Sequence, residues 1–283
     1  MSGTEPGAEA ADVGLLSPAT AGSAAESLTG DAAVLSALVR AEAALLRAQA
    51  SVGLLPASAT VLADRVEAAR PGLDPRVLAL AARGGGNPVI PLVAALREAV
   101  GGERPEATGR TGDQTGWQAG WIHRGATSQD VLDTALVLVA EAVLHRIEGD
   151  LTQLAGSLAD LTGHHRDTPM VARTLTQQAL PSTLGLRLAG WLAGVHDALE
   201  VVRACRPLPA SLSGPVGSAS AFAPQGPAVL SAYADELGLA TPVLGWHTRR
   251  HPVLALAAAL GEVGGACGKI AADVLVMAQS EVG

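Results

Sequence analysis

The segment Gly120-Trp-Ile-His-Arg-Gly-Ala-Thr-Ser-Gln-Asp-Val-Leu-Asp-Thr-Ala135 sets a titratable imidazole, His123, ahead of a glycine, Gly125, and two hydroxyls, Thr127 and Ser128. An apolar-periodic run follows. Thr127 with Asp130 three residues on reads as a capping box, so the first-turn amides of a helix would point their partial positive charge outward. A carboxylate suits such a site. Further on, the stretch 170–185 carries Arg173, Thr174, Thr176, Gln177, Gln178, Ser182 and Thr183. These are neutral hydrogen-bonding side chains with one arginine, again ahead of an apolar-periodic run. Pro181 falls where a first-turn proline is tolerated. Two polar helix entrances in one helical chain point to a shared site. For the first segment alone, an ordinary helix cap beside a solvated histidine is the plainer alternative.

The elements that must position these residues read as helices throughout. The span 31–52 places Leu35, Leu38, Leu45 and Gln49 near one face, with Asp31 as cap and with Gly53 and Pro56 as its end. Shorter helices are expected over 60–70, from Asp74-Pro75 to Gly84, and over 88–100. The polar, Gly- and Thr-rich span 101–116 reads as a flexible loop. Three long helices follow. The span 129–162 carries Ile147, Leu151, Leu154, Leu158 and Leu161 in a heptad seam. The span 182–205 carries Leu184, Leu188, Trp191, Val195, Leu199 and Val202 in one stripe. From Pro252 onward the chain is apolar on nearly every side, with small residues at Ala257, Gly261, Gly264, Gly265 and Gly268. A helix apolar all round is buried all round, so the centre of a bundle between subunits is its expected place. Packing of its small residues within one chain is the alternative. The expected fold is all-α, with a flexible arm over 1–27, an N-terminal helical domain over 28–128 and three bundle helices over 129–283.

Composition narrows the function classes. The chain has 283 residues, a formal charge of −8 and only six aromatic residues. An acidic chain without a basic run is unsuited to nucleic acid. It must concentrate positive charge locally to hold an acidic substrate, which draws attention to Arg124, Arg173, Arg249 and Arg250. Cys205 and Cys267 stand far apart, as reduced structural cysteines of the cytoplasm do. The first 27 residues lack lysine and arginine, so they do not read as a secretory signal. No stretch reaches the ~20 uninterrupted apolar residues of a membrane span; 131–144, the best, contains Asp133 and Glu141. The histidines show no metal-ligand spacing, and no metal or other cofactor is expected.

Together, Thr127-Ser-Gln-Asp130 and Arg173-Thr-Leu-Thr-Gln-Gln-Ala-Leu-Pro-Ser-Thr-Leu-Gly185 resemble the first two signatures of the fumarase/aspartase superfamily. Within it the wording around His123 is most similar to the bacterial 3-carboxy-cis,cis-muconate cycloisomerases. Gly86-Asn-Pro-Val-Ile-Pro-Leu-Val93, Ser213-Gly-Pro-Val-Gly-Ser218 and Trp246-His-Thr-Arg-Arg250 add to the likeness. The resemblance implies lactonisation of a muconate polycarboxylate in protocatechuate degradation. It implies a homotetramer in which each site draws on three subunits. Thr127, Ser128, Arg173, Thr174 and Gln177 would bind carboxylates and His123 would serve as acid or base, with Asn87, His247 and Arg249 as further contacts. Two readings compete: a fumarate-releasing lyase of the adenylosuccinate lyase type, and a non-catalytic chain that only assembles or binds an acid. The lyase members carry histidine where this chain has Leu175, which favours the cycloisomerases. In the superfamily the Trp-His-Thr segment usually runs on to an aspartate, where this chain departs with His251. The third signature of the superfamily would begin just after Gly283, so the residues given are expected to be part of a longer enzyme and inactive alone.

Overall fold

The computed structural model describes residues 15, 16, 18–101 and 118–280. Among them nine α-helices and one β-hairpin follow in order: α1 Ala24–Thr29, α2 Asp31–Ser51, α3 Ser58–Ala69, α4 Pro75–Ala82, α5 Val89–Ala99, α6 Ser128–His164, β1 Pro169–Thr174, β2 Gln177–Thr183, α7 Leu184–Cys205, α8 Gly226–Leu237 and α9 His251–Met277. The helical architecture is the one expected. The flexible loop expected over 101–116 lies outside the described residues apart from Gly101.

Several boundaries differ for local reasons. The arm expected over 1–27 ends in α1, whose Glu26 carboxylate accepts from the Gly22 N–H at 2.6 Å. Gly30, not Asp31, is the N-cap of α2, and Asp31 is its first helical residue. Asp74 does cap α4, accepting from the Arg76 N–H at 2.8 Å. The larger correction concerns 169–183. It forms an antiparallel hairpin in which Pro181 pairs with Val171, not the first turn of a helix. Thr183 caps α7 instead, accepting from the Leu186 N–H. The hairpin turns at Leu175 and Thr176, both with positive φ, 49° and 64°. That is the two-residue geometry whose twist suits a hairpin.

Two apolar clusters hold the molecule. The first gathers α2, α3, α5 and α8 around the N-terminal half of α6, with Leu45, Leu46, Leu92, Leu144 and Tyr233 buried. The second packs Leu151, Ala155 and Leu158 of α6 against Leu188, Trp191, Val195 and Leu199 of α7, and α9 closes it. Of the heptad seam, Leu151 and Leu158 are buried, Ile147 and Leu154 half-buried, and Leu161 is exposed.

A polar ladder on α6 then pins the chain leaving α7. Glu148 accepts from Arg203 and Arg206, and Glu141 from Arg206 Nε and the Leu208 N–H. The Thr134 hydroxyl both donates to the Ser211 carbonyl and accepts from the Ser211 N–H. Asp130 takes the next residues, as described below. Rungs seven and four residues apart lie along one helix face, so 203–214 is laid down antiparallel to the N-terminal half of α6.

The helix α9 departs most from expectation within one chain. Only Pro252, Leu256 and Ala259 are buried. A side-chain carbon built on Gly261, Gly264, Gly265 or Gly268 would meet nothing within 4 Å. Among the described residues these four glycines therefore pack against nothing. By length and composition α9 is also apolar enough to cross a membrane, where the sequence pointed to 131–144 as the best such stretch. Its Asp273, however, is tied to Trp191 and Arg187 of α7 and to Lys269 one turn back.

Candidate active site

The first signature is built around Asp130. Its side chain is 1% exposed. Oδ2 accepts from the Thr127 N–H at 3.0 Å, the reciprocal half of the capping box. Oδ2 also accepts from the Gly214 N–H at 2.9 Å, and Oδ1 from the Ser213 N–H at 3.0 Å and the Ser213 hydroxyl at 3.4 Å. One carboxylate thus clamps the glycine-rich loop onto the start of α6. This second use spans more than 80 positions of sequence and left no local trace. Thr127 and Ser128 stay half-buried at the helix entrance, where α6 turns its free amides outward.

Gly125 lets these parts approach. Its φ is +83°, and a side-chain carbon there would fall 2.5 Å from the Phe222 ring. Asp133, one turn into α6, is 2% exposed and is gripped bidentately by Arg250, at 2.5 and 2.9 Å, with Gln129 as a further donor. The Arg250 guanidinium also lies over the Trp246 ring, 5.2 Å from its centre, and donates to the His247 carbonyl. Its hydrogen bonds to the Asp133 carboxylate, together with that carboxylate's charge, favour the protonated guanidinium and push its pKa up against the opposing effect of burial. Arg250 therefore fastens the Trp246–His247 turn to α6, and His247 lies beside Gly217 of the glycine-rich loop.

His123 sits in the turn before α6, and its Nδ1 is 2.7 Å from Oε1 of Glu42, a residue that is 0% exposed. Glu42 went unnoticed in the sequence. The signal was available, because Leu35, Leu38, Glu42, Leu45 and Gln49 fall at alternating spacings of three and four. A carboxylate on an apolar stripe is a buried carboxylate. Gln49 on the same stripe donates to the Arg124 carbonyl at 3.2 Å and so holds the turn that carries His123. Close by, burial pushes the Tyr233 phenol far up, and the charges of Glu42 and Asp130 add to it.

The remaining expected residues lie elsewhere. Asn87 has its amide oxygen occupied by the Val89 N–H at the start of α5. Arg249 is exposed on a cleft of about 590 Å³ with Leu208, Pro209 and His251. Arg173, Thr174 and Gln177 belong to the hairpin, and Thr174 pairs with Gln177 across its turn. The hairpin follows the C-terminal end of α6. That helix has 37 residues, and at 1.5 Å per residue it holds its ends roughly 55 Å apart. The two segments that read as parts of a shared site therefore stand, within one chain, at opposite ends of one rod. Each end has its own cleft: about 470 Å³ beside Ser213, Gly217 and Ser218, and about 330 Å³ beside Met170, Ser182 and Arg187. Among the described residues no cluster of three or more histidine, cysteine or carboxylate side chains could hold a metal ion.

This long-helix scaffold recurs in known proteins. A lyase family matches residues 17–283. A 3-carboxy-cis,cis-muconate cycloisomerase of Pseudomonas aeruginosa is 41% identical over 86% of this chain and 50% of its own. A nitrosuccinate lyase of Streptomyces davaonensis is 43% identical over 96% of this chain and 57% of its own. The crystal structure of a β-carboxy-cis,cis-muconate cycloisomerase from Acinetobacter calcoaceticus superposes with a TM-score of 0.82 at 35% identity, over 91% of this chain and 58% of that one. The chain belongs to the fumarase/aspartase superfamily of lyase-type enzymes. It spans between half and three-fifths of the length of these relatives.

Proposed function

We propose that the chain forms part of a 3-carboxy-cis,cis-muconate cycloisomerase. One substrate carboxylate adds across a double bond and closes a five-membered lactone, and a proton is delivered to the carbon next to another carboxylate. The negative charge that develops is enediolate-like, and hydroxyls, amides and helix N-termini stabilise it without a metal. Thr127 and Ser128 hold one carboxylate at the entrance of α6. Thr174 and Gln177, with Arg173 adding charge, hold another, and they come from a different subunit of a homotetramer. The roughly 55 Å between the ends of α6 supports this division, as do the exposed apolar faces and uncovered glycines of α9, which other copies would cover. His123 exchanges the proton.

The observation that carries the choice of reaction is Leu175. It stands 94% exposed at the hairpin tip between Thr174 and Gln177. The superfamily's lyases have histidine there, and leucine can neither give nor take a proton. A second reading, elimination from a substituted succinate, is favoured by the 43% identity to the nitrosuccinate lyase. Both reactions share carbanion chemistry next to a carboxylate, so the substrate separates them. The protein expressed from its complete reading frame should remove the diene absorbance of 3-carboxy-cis,cis-muconate. Release of fumarate from nitrosuccinate with no loss of the diene would establish the second reading instead.

A further inference from the structure

We propose that Glu42 is a positioning residue for His123: it holds Nδ1 as the proton-bearing nitrogen and leaves Nε2 as the one available to substrate. The inference rests on the reading of His123 as the group that exchanges the proton. Its foundation is the environment of Glu42. The side chain is fully buried on the apolar stripe of α2, and Oε1 lies 2.7 Å from His123 Nδ1. Oε2 is buried with no hydrogen-bond partner among the described residues. Among the described residues no lysine or arginine forms an ion pair with Glu42; His123 from the turn bonds it, and the Tyr233 phenol of α8 feels its charge as it does that of Asp130 from α6.

A carboxylate left in this state is a poor way to stabilise a fold. An apolar side chain of similar volume commonly serves a buried position as well or better, because the carboxylate loses its hydration and recovers only part of it. Asp130 and Asp133 are different, since each has all its oxygens engaged. Glu42 spends its single hydrogen bond on one imidazole nitrogen. That imidazole is itself held on a turn with φ +65° at a non-glycine residue, a conformation that costs about 1–2 kcal/mol and persists only where its surroundings enforce it. Which ring nitrogen carries the proton is set by the partner of the other. A buried carboxylate at Nδ1 makes that choice before substrate arrives.

The test is Glu42→Met, which keeps the volume and removes the acceptor. Three quantities are read on the full-length protein: thermal midpoint, kcat and KM, and the ring-nitrogen signals of 15N-labelled His123 without substrate, assigned by their loss in His123→Asn. The expected result is a midpoint within about 2 °C of the parent and a kcat lowered roughly 10- to 100-fold with KM little changed. The Nδ1–H form seen in the parent should disappear. Glu42→Gln, which retains an acceptor oxygen, should keep more of the rate, and it is read in the same way if the methionine variant does not fold. An unchanged kcat, or an Nδ1–H form that survives in Glu42→Met, overturns the proposal. The nitrogen signature needs no substrate. It decides the pairing even if the cycloisomerase reading fails, and that failure would appear separately as a parent protein that leaves the diene intact.

Discussion

Three buried carboxylates lie under the entrance of α6, each with a different partner. Asp130 is met by backbone amides and a hydroxyl, Asp133 by Arg250, and Glu42 by His123. The partner decides what each carboxylate does. Amides around Asp130 fix a loop, the guanidinium at Asp133 fixes a turn, and only the imidazole at Glu42 is itself reactive. Asp130→Asn should therefore act on structure first. The amide keeps one acceptor oxygen and turns an NH2 toward backbone donors that had been satisfied. A loss of roughly 2–4 kcal/mol is expected in chemical denaturation, together with weaker carboxylate binding as the Ser213–Gly214 loop moves away. Unchanged stability would mean that the clamp is not what holds the loop. The sequence exposed one role of Asp130, the cap, because a cap partner is three residues away. The clamp joins residues that only the fold brings together. Glu42 was readable in principle, since its place on the α2 stripe follows from helical period alone.

At the scale of elements, the long helices were legible because a stripe such as Leu188, Trp191, Val195, Leu199 and Val202 records which face is buried. The hairpin was not. Leu175-Thr176 lacks the Asn-Gly signal that hairpin turns favour, and polar residues on both strands imitate a helix entrance. The helix α8 was missed because it opens on Gly226-Pro227, which reads as a turn. The hairpin tip is accordingly strained, with two non-glycine residues in the left-handed region. Thr176→Gly should relieve that strain and stabilise the hairpin by about 0.5–1 kcal/mol, after allowing for the greater freedom of glycine in the unfolded chain. Slower amide exchange in β1 and β2 would report it, and faster exchange would refute it.

The α7–α9 contact carries a pH dependence. Burial alone would raise the Asp273 carboxyl, but hydrogen bonds from Lys269 and Trp191 and the charges of Lys269 and Arg187 outweigh it and hold it below the usual range. A carboxyl whose folded value is depressed adds stability that is complete above its unfolded value, near pH 4, and is lost as pH falls through the folded one. The thermal midpoints of the parent and Asp273→Asn should thus differ at pH 7 and converge below about pH 4. A difference that stays constant with pH would assign the effect of Asp273 to packing.

For the whole molecule, the length of α6 is the controlling fact. A rigid helix of 37 residues separates the Thr127–Ser128 entrance from the Thr174–Gln177 hairpin, and no side chain bridges that distance. That separation fits the expectation that each site draws on several subunits, and on the proposed reading the bare faces of α9 are where those chains would meet. The most direct test mixes two inactive parents. Ser128→Ala damages one end of α6 and Thr174→Ala the other, so each homo-oligomer should lose most of its activity. Coexpressed, the two should form mixed oligomers in which some sites draw an intact entrance from one subunit and an intact hairpin from another, and activity should reappear above either parent. Mixed oligomers that form and stay as inactive as their parents would contradict a site built from separate chains.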